Sequence, residues 1–297
     1  MTATGIDRYP TRGRAETVIP RADPVVWAET AAAGPLDATE ITAFERDGFL
    51  AYDDLLTAGE VGHYRSELHR LTSHRPGADE RWITEPGSQD VKSVFEVHKI
   101  SEVFARLAAD PRLVGRACQI LGTDVYIHQS RINVKRGFGA SGFYWHSDFE
   151  TWHAEDGLPA MRTVSFSIAL TDNDATNGSL MLVPGSHQTF VGCAGATPND
   201  NYRTSLQMQE AGTPSEGALT RLCDSRAIHL CTGRAGSAIL FDCNTMHGSG
   251  DNITPSPRSN VFIVYNSIDN TLTEPFAAPA RRPTFLAAHD FTPLPYP

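Results

Sequence analysis

The sequence lacks the long apolar runs and the cysteine pairs that mark several broad classes of protein. Across 297 residues no apolar stretch approaches the roughly 20 residues that cross a bilayer, and the first 21 residues lack the apolar core of a signal peptide. The five cysteines are odd in number and scattered without a C-x-x-C pair, which argues against a disulfide framework and a thiolate zinc site. We therefore predict a cytoplasmic protein with reduced, mostly buried cysteines.

Basic charge is also scarce. The chain has 25 Lys and Arg against 35 Asp and Glu, a formal net charge of −10. A nucleic-acid or anionic-membrane partner would require a basic patch, so this balance opposes both. We expect a small-molecule partner, with no nucleic acid and no membrane.

The hydrophobic pattern divides the chain into three regions. Residues 1–35 mix Pro, Arg, Gly and Ala without periodicity, which predicts an extended or partly disordered arm. Helical spacing dominates residues 37–121, with predicted helices over 37–47, 55–71 and the two sides of Pro111. We interpret residues 36–297 as a single domain in which this helical part supports a β-rich core at about 124–268.

From about residue 124 the pattern becomes alternating. Short predicted strands, separated by Gly and Pro turns, lie at 125–135, 163–170, 180–183, 228–230, 237–241 and 260–266, and one further strand is predicted earlier, at 94–97. They predict a mainly β fold with flanking helices, an antiparallel sandwich or jelly roll. The segments 73–93 and 192–220 are predicted loops, and loops of that length often act as lids.

The predicted strand 125–135 carries a polar stripe. Strict alternation places on one face Val125, Ile127, Gln129, Arg131, Asn133 and Lys135. The stripe is either a solvated sheet face or the lining of a ligand cavity. Metal-ligand residue types in the next strand favour the cavity.

The candidate metal ligands of the next strand are His146 and Asp148, in the segment Phe143–Gly157. Because side chains alternate along a strand, two residues that are two apart point at the same spot. One imidazole and one carboxylate, joined by a second imidazole, leave open positions on a metal, which suits non-heme Fe(II) and oxygen chemistry.

Several histidines compete to be the second imidazole. The sequence favours structural roles for His128, His153 and His187. His247 follows a buried strand, and a jelly roll makes such distant strands neighbours. Arg258 comes eleven residues later, and its guanidinium can hold a carboxylate through two parallel hydrogen bonds. This combination is more specific than an H-x-D triplet alone.

At these residues the chain resembles the phytanoyl-CoA-hydroxylase-like family of Fe(II)- and 2-oxoglutarate-dependent dioxygenases. The resemblance covers about residues 36–265 and is strongest over FYWHSDFETWHAEDGLP at 143–159. Shorter matching segments are QSRIN at 129–133, NGSL at 177–180, PGSH at 184–187 and HGS at 247–249. Within the family the chain is most similar to the members that hydroxylate ectoine.

The resemblance implies a double-stranded β-helix and a set of site residues. The implied Fe(II) ligands are His146, Asp148 and His247. The implied contacts to the co-substrate 2-oxoglutarate come from Arg258 as the carboxylate clamp, with Lys135, Arg131, Asn133 and Ser165. The implied contacts to ectoine come from Gln129 and Trp152, since an aromatic face can attract the amidinium cation of that molecule.

The resemblance also implies a reaction. Ectoine, 2-oxoglutarate and O2 would give 5-hydroxyectoine, succinate and CO2, in compatible-solute biosynthesis that protects against osmotic and thermal stress. The alternatives are a related dioxygenase with another small polar substrate and a cupin-like metal-binding protein without redox turnover. A halogenase is disfavoured, because Asp148 supplies a carboxylate where a halide would bind. A homodimer is compatible with the sequence, which does not fix the oligomeric state.

Overall fold

A computed structural model of the chain describes residues 7–28, 34–73, 77, 79–224 and 227–296. Its α-helices are α1 (Ala38–Asp47), α2 (Ala58–Ser73), α3 (Val97–Ile100), α4 (Glu102–Ala108), α5 (Pro111–Leu121), α6 (Asp148–Thr151), α7 (Tyr202–Ser205) and α8 (Glu216–Cys223). A π-helical turn spans Trp152–Asp156, and 3-10 turns span Ser186–Gln188 and Ile268–Asn270. No helix in the described ranges is long and apolar enough to cross a membrane.

Thirteen strands are present in the described part of the chain. They are β1 (Thr17–Pro20), β2 (Phe49–Tyr52), β3 (Trp82–Thr84), β4 (Val91–Phe95), β5 (Val125–Lys135), β6 (Phe143–His146), β7 (Thr163–Ala169), β8 (Leu180–Leu182), β9 (Thr189–Gly192), β10 (His229–Leu230), β11 (Ala238–Asp242), β12 (His247–Ser249) and β13 (Arg258–Ser267). The predicted helices on both sides of Pro111 and the predicted strand 125–135 are confirmed.

Eleven of these strands form two facing antiparallel sheets, and β1 and β9 form a separate two-stranded sheet. A seven-stranded sheet has the order β2-β11-β7-β13-β5-β4-β3, and a four-stranded sheet has the order β10-β8-β12-β6. Leu180 and Leu182 of the smaller sheet pack against Phe241 and Phe262 of the larger one. The predicted jelly roll, a double-stranded β-helix with flanking helices, is confirmed.

The helices cover the outer face of the large sheet. Val261 and Phe166, on that face, belong to the same buried cluster as Phe104, Leu107 and Val114 of α4 and α5. This face therefore supplies the main hydrophobic core, and the inner face of the same strands is left to line a cavity.

A β-bulge interrupts the alternation in β5. Gln129 pairs with Val264 of β13, but Ile127 pairs with Tyr265, so His128 is one extra residue on its strand. A bulge of this kind exchanges the faces on which the following side chains lie. The predicted single polar stripe is therefore correct only from Gln129 onward.

The bulge corrects three sequence-based placements. Val125 and Ile127 were predicted on the cavity face, but both contact the helix-side core. His128 was predicted on the opposite face, yet it is buried against Trp152 with ring centroids 5.0 Å apart. Strict alternation cannot anticipate an inserted residue, because no turn residue marks it.

The predicted loops contain regular elements. The segment 73–93 includes β3 and the start of β4, so the strand predicted at 94–97 ends at residue 95. The segment 192–220 includes α7 and most of α8, whose first turn is capped by Ser215. These elements are too short for periodicity to reveal them.

The N-terminal segment differs from the extended or partly disordered arm that was predicted. Over residues 7–28 it is packed on the jelly roll: β1 pairs with β9, and Tyr9 is fully buried. Arg12 forms a buried ion pair with Glu150, Nε to Oε1 at 2.6 Å. Single anchors of this kind leave no periodic signal in a sequence. Residues 1–6 and 29–33 lie outside the described residues.

The end of α1 is fixed by a glycine close to the site. Asp37 caps the start of this helix, and Gly48 ends it in the left-handed region at φ 80°. A Cβ at Gly48 would overlap the ring of His187 and the hydroxyl of Thr245.

We expect Gly48→Ala to lower the free energy of unfolding by about 2 kcal/mol, through left-handed strain and overpacking. The matched control is Gly59→Ala in the first turn of α2, where an added Cβ meets nothing within 4 Å. Thermal unfolding should show a lower Tm for the first variant and an unchanged or slightly higher Tm for the second. Equal Tm values would contradict this account of Gly48.

Candidate functional site

Three side chains with metal-binding atoms converge between β6 and β12. His247 pairs directly with His146 across the two strands, and their ring centroids are 4.2 Å apart. The Asp148 carboxylate lies beside both, with Oδ1 3.9 Å from Nε2 of His146 and Oδ2 3.9 Å from Nε2 of His247. Ligand atoms of all three residues lie within 4.8 Å of one another.

Asp148 reaches this position by a different route from the one expected. It was predicted on the same strand as His146, but β6 ends at His146 and Asp148 is the first residue of α6. Between them Ser147 is still extended, at φ −106° and ψ 134°, and its Oγ accepts from the backbone of Glu150. Because Ser147 keeps the extended conformation, the side chains two apart still point to one side.

Hydrogen bonds orient both imidazoles toward the centre of this group. Nδ1 of His146 is 2.7 Å from the carbonyl of Tyr144, and Nδ1 of His247 is 2.9 Å from the carbonyl of Thr245. A neutral ring that donates from Nδ1 presents the lone pair of Nε2 to a metal.

The charge state of the group also fits a cation. Burial, followed by the neighbouring His247, lowers the pKa of His146 to about 4, which favours the neutral form that ligates metals. Oδ2 of Asp148 is buried and accepts no hydrogen bond from the described residues. Two imidazoles and one carboxylate with an unsatisfied oxygen suit a divalent ion such as Fe(II).

A cavity opens beside these three side chains, between the two sheets. Strands β4, β5 and β13 line one side, β6, β8 and β12 line the other, and residues 201–211 form part of the remaining wall. Of the other predicted site residues, those that line it are Gln129, Arg131, Asn133, Trp152 and Arg258.

Arg258 is a buried cation without a counter-ion. It is 2% exposed, its Nε donates to the carbonyl of Gly178 at 3.2 Å, and its Nη1 has no hydrogen-bond partner among the described residues. Burial lowers the pKa of this guanidinium to about 10. Since a buried unpaired charge is costly, Arg258 marks a place where an anion binds.

Lys135 and Ser165 do not line the cavity. Nζ of Lys135 donates to the carbonyls of Ser141 at 3.0 Å and Gly250 at 2.5 Å. Burial, followed by the charge of Arg258, lowers the pKa of Lys135 to about 7. Ser165 is fully buried on β7, and its hydroxyl has no hydrogen-bond partner among the described residues.

Gln129 and Arg131 form a linked pair on the cavity wall. Nε2 of Gln129 donates to the carbonyl of Leu286 at 2.6 Å, and its Oε1 accepts from Nη1 of Arg131. The Arg131 guanidinium lies 4.6 Å from the ring centroid of Phe262. Each end of the Gln129 amide retains a further hydrogen-bonding capacity for a ligand.

Asn133 lies beside this pair, and its Oδ1 accepts from Oγ of Ser93 at 2.9 Å. Trp152, in the π-helical turn, is 2% exposed and borders the cavity. Both residues are therefore placed where the sequence predicted them.

The three rival histidines, His128, His153 and His187, lie outside the metal-binding group. His153 is 3.0 Å from Asp7 through Nε2 and 2.8 Å from the carbonyl of Leu158 through Nδ1. Nε2 of His187 lies 3.1 Å from the carbonyl of Glu45. His128 lies 3.6 Å from a buried carboxylate, that of Asp156.

The polar residues that line the cavity and that the sequence reasoning missed include Glu155, Asn201 and Arg282. Arg282 lies in the proline-rich C-terminal segment, where no site residue was predicted. It is buried, and its Nε and Nη2 donate to the two carboxylate oxygens of Asp156 at 2.7 and 2.6 Å. The local sequence did not distinguish Arg282 from its neighbour Arg281. Glu155 was within the strongest resemblance, but no role could be read from its position.

Comparisons with known proteins agree with this geometry. The family model for phytanoyl-CoA dioxygenase (PhyH) matches residues 44–260. An ectoine dioxygenase of Streptomyces coelicolor is 67% identical over 295 residues, which cover 99% of each chain.

Solved structures show the same fold over nearly the whole length. EctD from S. alaskensis in its crystal structure with 2-oxoglutarate and 5-hydroxyectoine has a TM-score of 0.87 and 44% identity, covering 97% of this chain and 96% of that one. The structure of EctD with bound Fe has a TM-score of 0.87 and 43% identity, covering 98% of each. With its own facial group of two histidines and one aspartate, the chain belongs to the phytanoyl-CoA dioxygenase family.

Proposed function

We propose that this chain is an Fe(II)- and 2-oxoglutarate-dependent dioxygenase that converts ectoine to 5-hydroxyectoine. The observation that carries the proposal is the convergence of His146, Asp148 and His247 beside a cavity that also holds the unpaired guanidinium of Arg258. Support for the substrate comes from the ectoine dioxygenases that are up to 67% identical and from the 5-hydroxyectoine in the S. alaskensis structure.

His146, Asp148 and His247 hold the iron in this proposal. Bound Fe(II) supplies the redox chemistry that couples 2-oxoglutarate decarboxylation to hydroxylation by O2. The carbonyls of Tyr144 and Thr245 keep Nε2 of both imidazoles directed at the ion. Three protein ligands on one face leave the remaining positions to the co-substrate and O2.

Arg258 binds the distal carboxylate of 2-oxoglutarate. Its guanidinium is desolvated and has no carboxylate partner among the described residues, so a carboxylate can form two parallel hydrogen bonds with it. Lys135 does not reach the cavity and contributes from behind, by holding the carbonyls of Ser141 and Gly250. Asn133 lies on the wall between Arg131 and Lys135 and assists at the co-substrate.

Ectoine occupies the part of the cavity bordered by Trp152, Gln129 and Arg282. The ring of Trp152 covers the amidinium, a cation–π contact of about 0.5 to 2 kcal/mol. Arg131 and Arg282 present guanidinium groups for the substrate carboxylate, with Arg282 held in place by Asp156. Ser165, which the resemblance implied as a contact to 2-oxoglutarate, is fully buried on β7 behind the cavity wall and supports that wall.

The direct test is aerobic incubation with Fe(II), 2-oxoglutarate and ectoine. We expect ectoine to gain one oxygen atom by mass while succinate forms in equal amount. A related dioxygenase for another substrate would consume 2-oxoglutarate without altering ectoine. A metal-binding protein without turnover would leave both unchanged, a reading that the buried, unpaired Arg258 already disfavours.

The choice of the second imidazole gives the first prediction for this site. His247→Ala should abolish stoichiometric iron binding, because it removes one of three ligands. His187→Ala, the matched control, should keep its iron even though His187 is buried. Metal analysis after anaerobic reconstitution distinguishes them, and the reverse pattern would show that His187 is the ligand.

The role of Arg258 as the carboxylate clamp gives the second prediction. Arg258→Lys keeps the charge but loses the planar fork, so the apparent KM for 2-oxoglutarate should rise more than that for ectoine. Steady-state kinetics with each substrate varied in turn measures both values. An unchanged KM for 2-oxoglutarate would remove this assignment.

The contact between Trp152 and the substrate cation gives the third prediction. Trp152→Ala should raise the ectoine KM roughly tenfold, with unchanged iron content, if about 1.4 kcal/mol of binding is lost. Trp152→Phe retains an aromatic face and should lose less. A poorly positioned substrate should also let succinate form in excess of hydroxyectoine. If Trp152→Ala and Gln129→Ala both keep the wild-type ectoine KM and form succinate and hydroxyectoine in equal amounts, the two residues have only a structural role.

A further inference from the structure

We propose that Glu155 is the counter-ion of the substrate cation, and that its pairing with the amidinium selects ectoine over uncharged rings of similar size. The inference rests on the proposed function, because it assigns a residue to the substrate of that function. It does not follow from the metal group or from Arg258, which serve the iron and the co-substrate.

One oxygen of the Glu155 carboxylate is held by hydrogen bonds, and the other is available to a ligand. Oε1 accepts from Nδ2 of Asn201 at 2.8 Å and lies 3.3 Å from Nη2 of Arg12. Oε2 accepts no hydrogen bond from the described residues. Glu155 lines the cavity and is 2% exposed, so the first oxygen fixes the side chain and the second is available inside the cavity.

The ion cluster behind Glu155 contains more acid than base. Arg12 is already satisfied by Glu150, through Nε to Oε1 at 2.6 Å and Nη2 to Oε2 at 2.9 Å. Glu155 shares the same guanidinium only through the longer contact of 3.3 Å. Two carboxylates on one guanidinium leave this cluster with one negative charge in excess. Such a charge is costly unless a cation binds next to it.

The charges across the cavity show why that cation belongs to the substrate. Arg282 is paired with Asp156, and Glu155 adds only a weaker electrostatic interaction with the same guanidinium. Arg131 has no carboxylate within ion-pair distance among the described residues, and burial lowers its pKa. With iron bound at Asp148, the unpaired charges left for the substrate are the cation of Arg131 and the anion of Glu155.

Ectoine carries the complementary pair of charges, a carboxylate and an amidinium. Its N–H groups can donate to Oε2 of Glu155, while Trp152, three residues earlier in the same π-helical turn, covers the face of the cation. Trp152 would attract many flat rings, whereas an ionised carboxylate strongly prefers a cationic donor. Glu155 therefore supplies the charge selectivity that an aromatic face lacks.

The test compares two substitutions that separate charge from scaffolding. Glu155→Gln keeps the size and a carbonyl acceptor for Asn201 but removes the charge. Glu155→Asp keeps the charge but shortens the reach to Asn201 and Arg12. Ectoine binding is measured by equilibrium dialysis under nitrogen, with Fe(II) and 2-oxoglutarate bound. A cyclic lactam carboxylate of the same ring size serves as the uncharged-ring probe.

We expect Glu155→Gln to weaken ectoine binding at least tenfold, to leave lactam binding unchanged or stronger, and to keep iron content and 2-oxoglutarate affinity. Glu155→Asp should retain a preference for ectoine. Ectoine affinity within twofold of wild type in Glu155→Gln, or equal weakening of both probes, would overturn the inference and make Glu155 a support for Asn201. Failure of the wild-type protein to bind ectoine would instead refute the proposed function.

Discussion

The site depends on the pairing of two short strands. Strand β12 lies antiparallel to β6, so that His247 faces His146, although about 100 residues separate them in the chain. The third ligand, Asp148, follows from the extended conformation of Ser147 at the end of β6. A one-residue slip in this pairing would turn one imidazole away from the cavity. On its other edge β12 pairs with β8, with His247 opposite Leu182, and this pairing helps to fix the register.

A second constraint is electrostatic. The cavity is lined by buried charges. Among the described residues, the guanidinium groups of Arg258 and Arg131 have no carboxylate within ion-pair distance, Oδ2 of Asp148 accepts no hydrogen bond, and Glu155 shares Arg12 with Glu150. Burying such charges costs free energy of folding, so their arrangement reflects ligands rather than stability. An iron ion, a dicarboxylate co-substrate and a zwitterionic substrate together supply the missing opposite charges. The geometry thus favours hydroxylation of a small zwitterion over simple metal storage.

Much of the fold and the metal group could be predicted from the sequence, for identifiable reasons. Alternation over eleven residues reveals β5, and the H-x-D pair with a distal histidine fixes the ligands. The bulge at His128 could not be predicted, because it inserts a residue without a turn signal. The role of Arg282 and the packing of the N-terminal residues 7–28 could not be predicted for another reason. A single long-range ion pair leaves no periodic pattern in the sequence, and only the folded chain shows which arginine pairs with Asp156.

The central claim is that these residues bring iron, 2-oxoglutarate, O2 and ectoine together in one reaction. Turnover under 18O2, with mass analysis of both products, tests it most directly. The account predicts that one labelled oxygen atom enters succinate and one enters hydroxyectoine, in a one-to-one ratio of the products. Hydroxyectoine without the label, or label in succinate with ectoine unchanged, would contradict it.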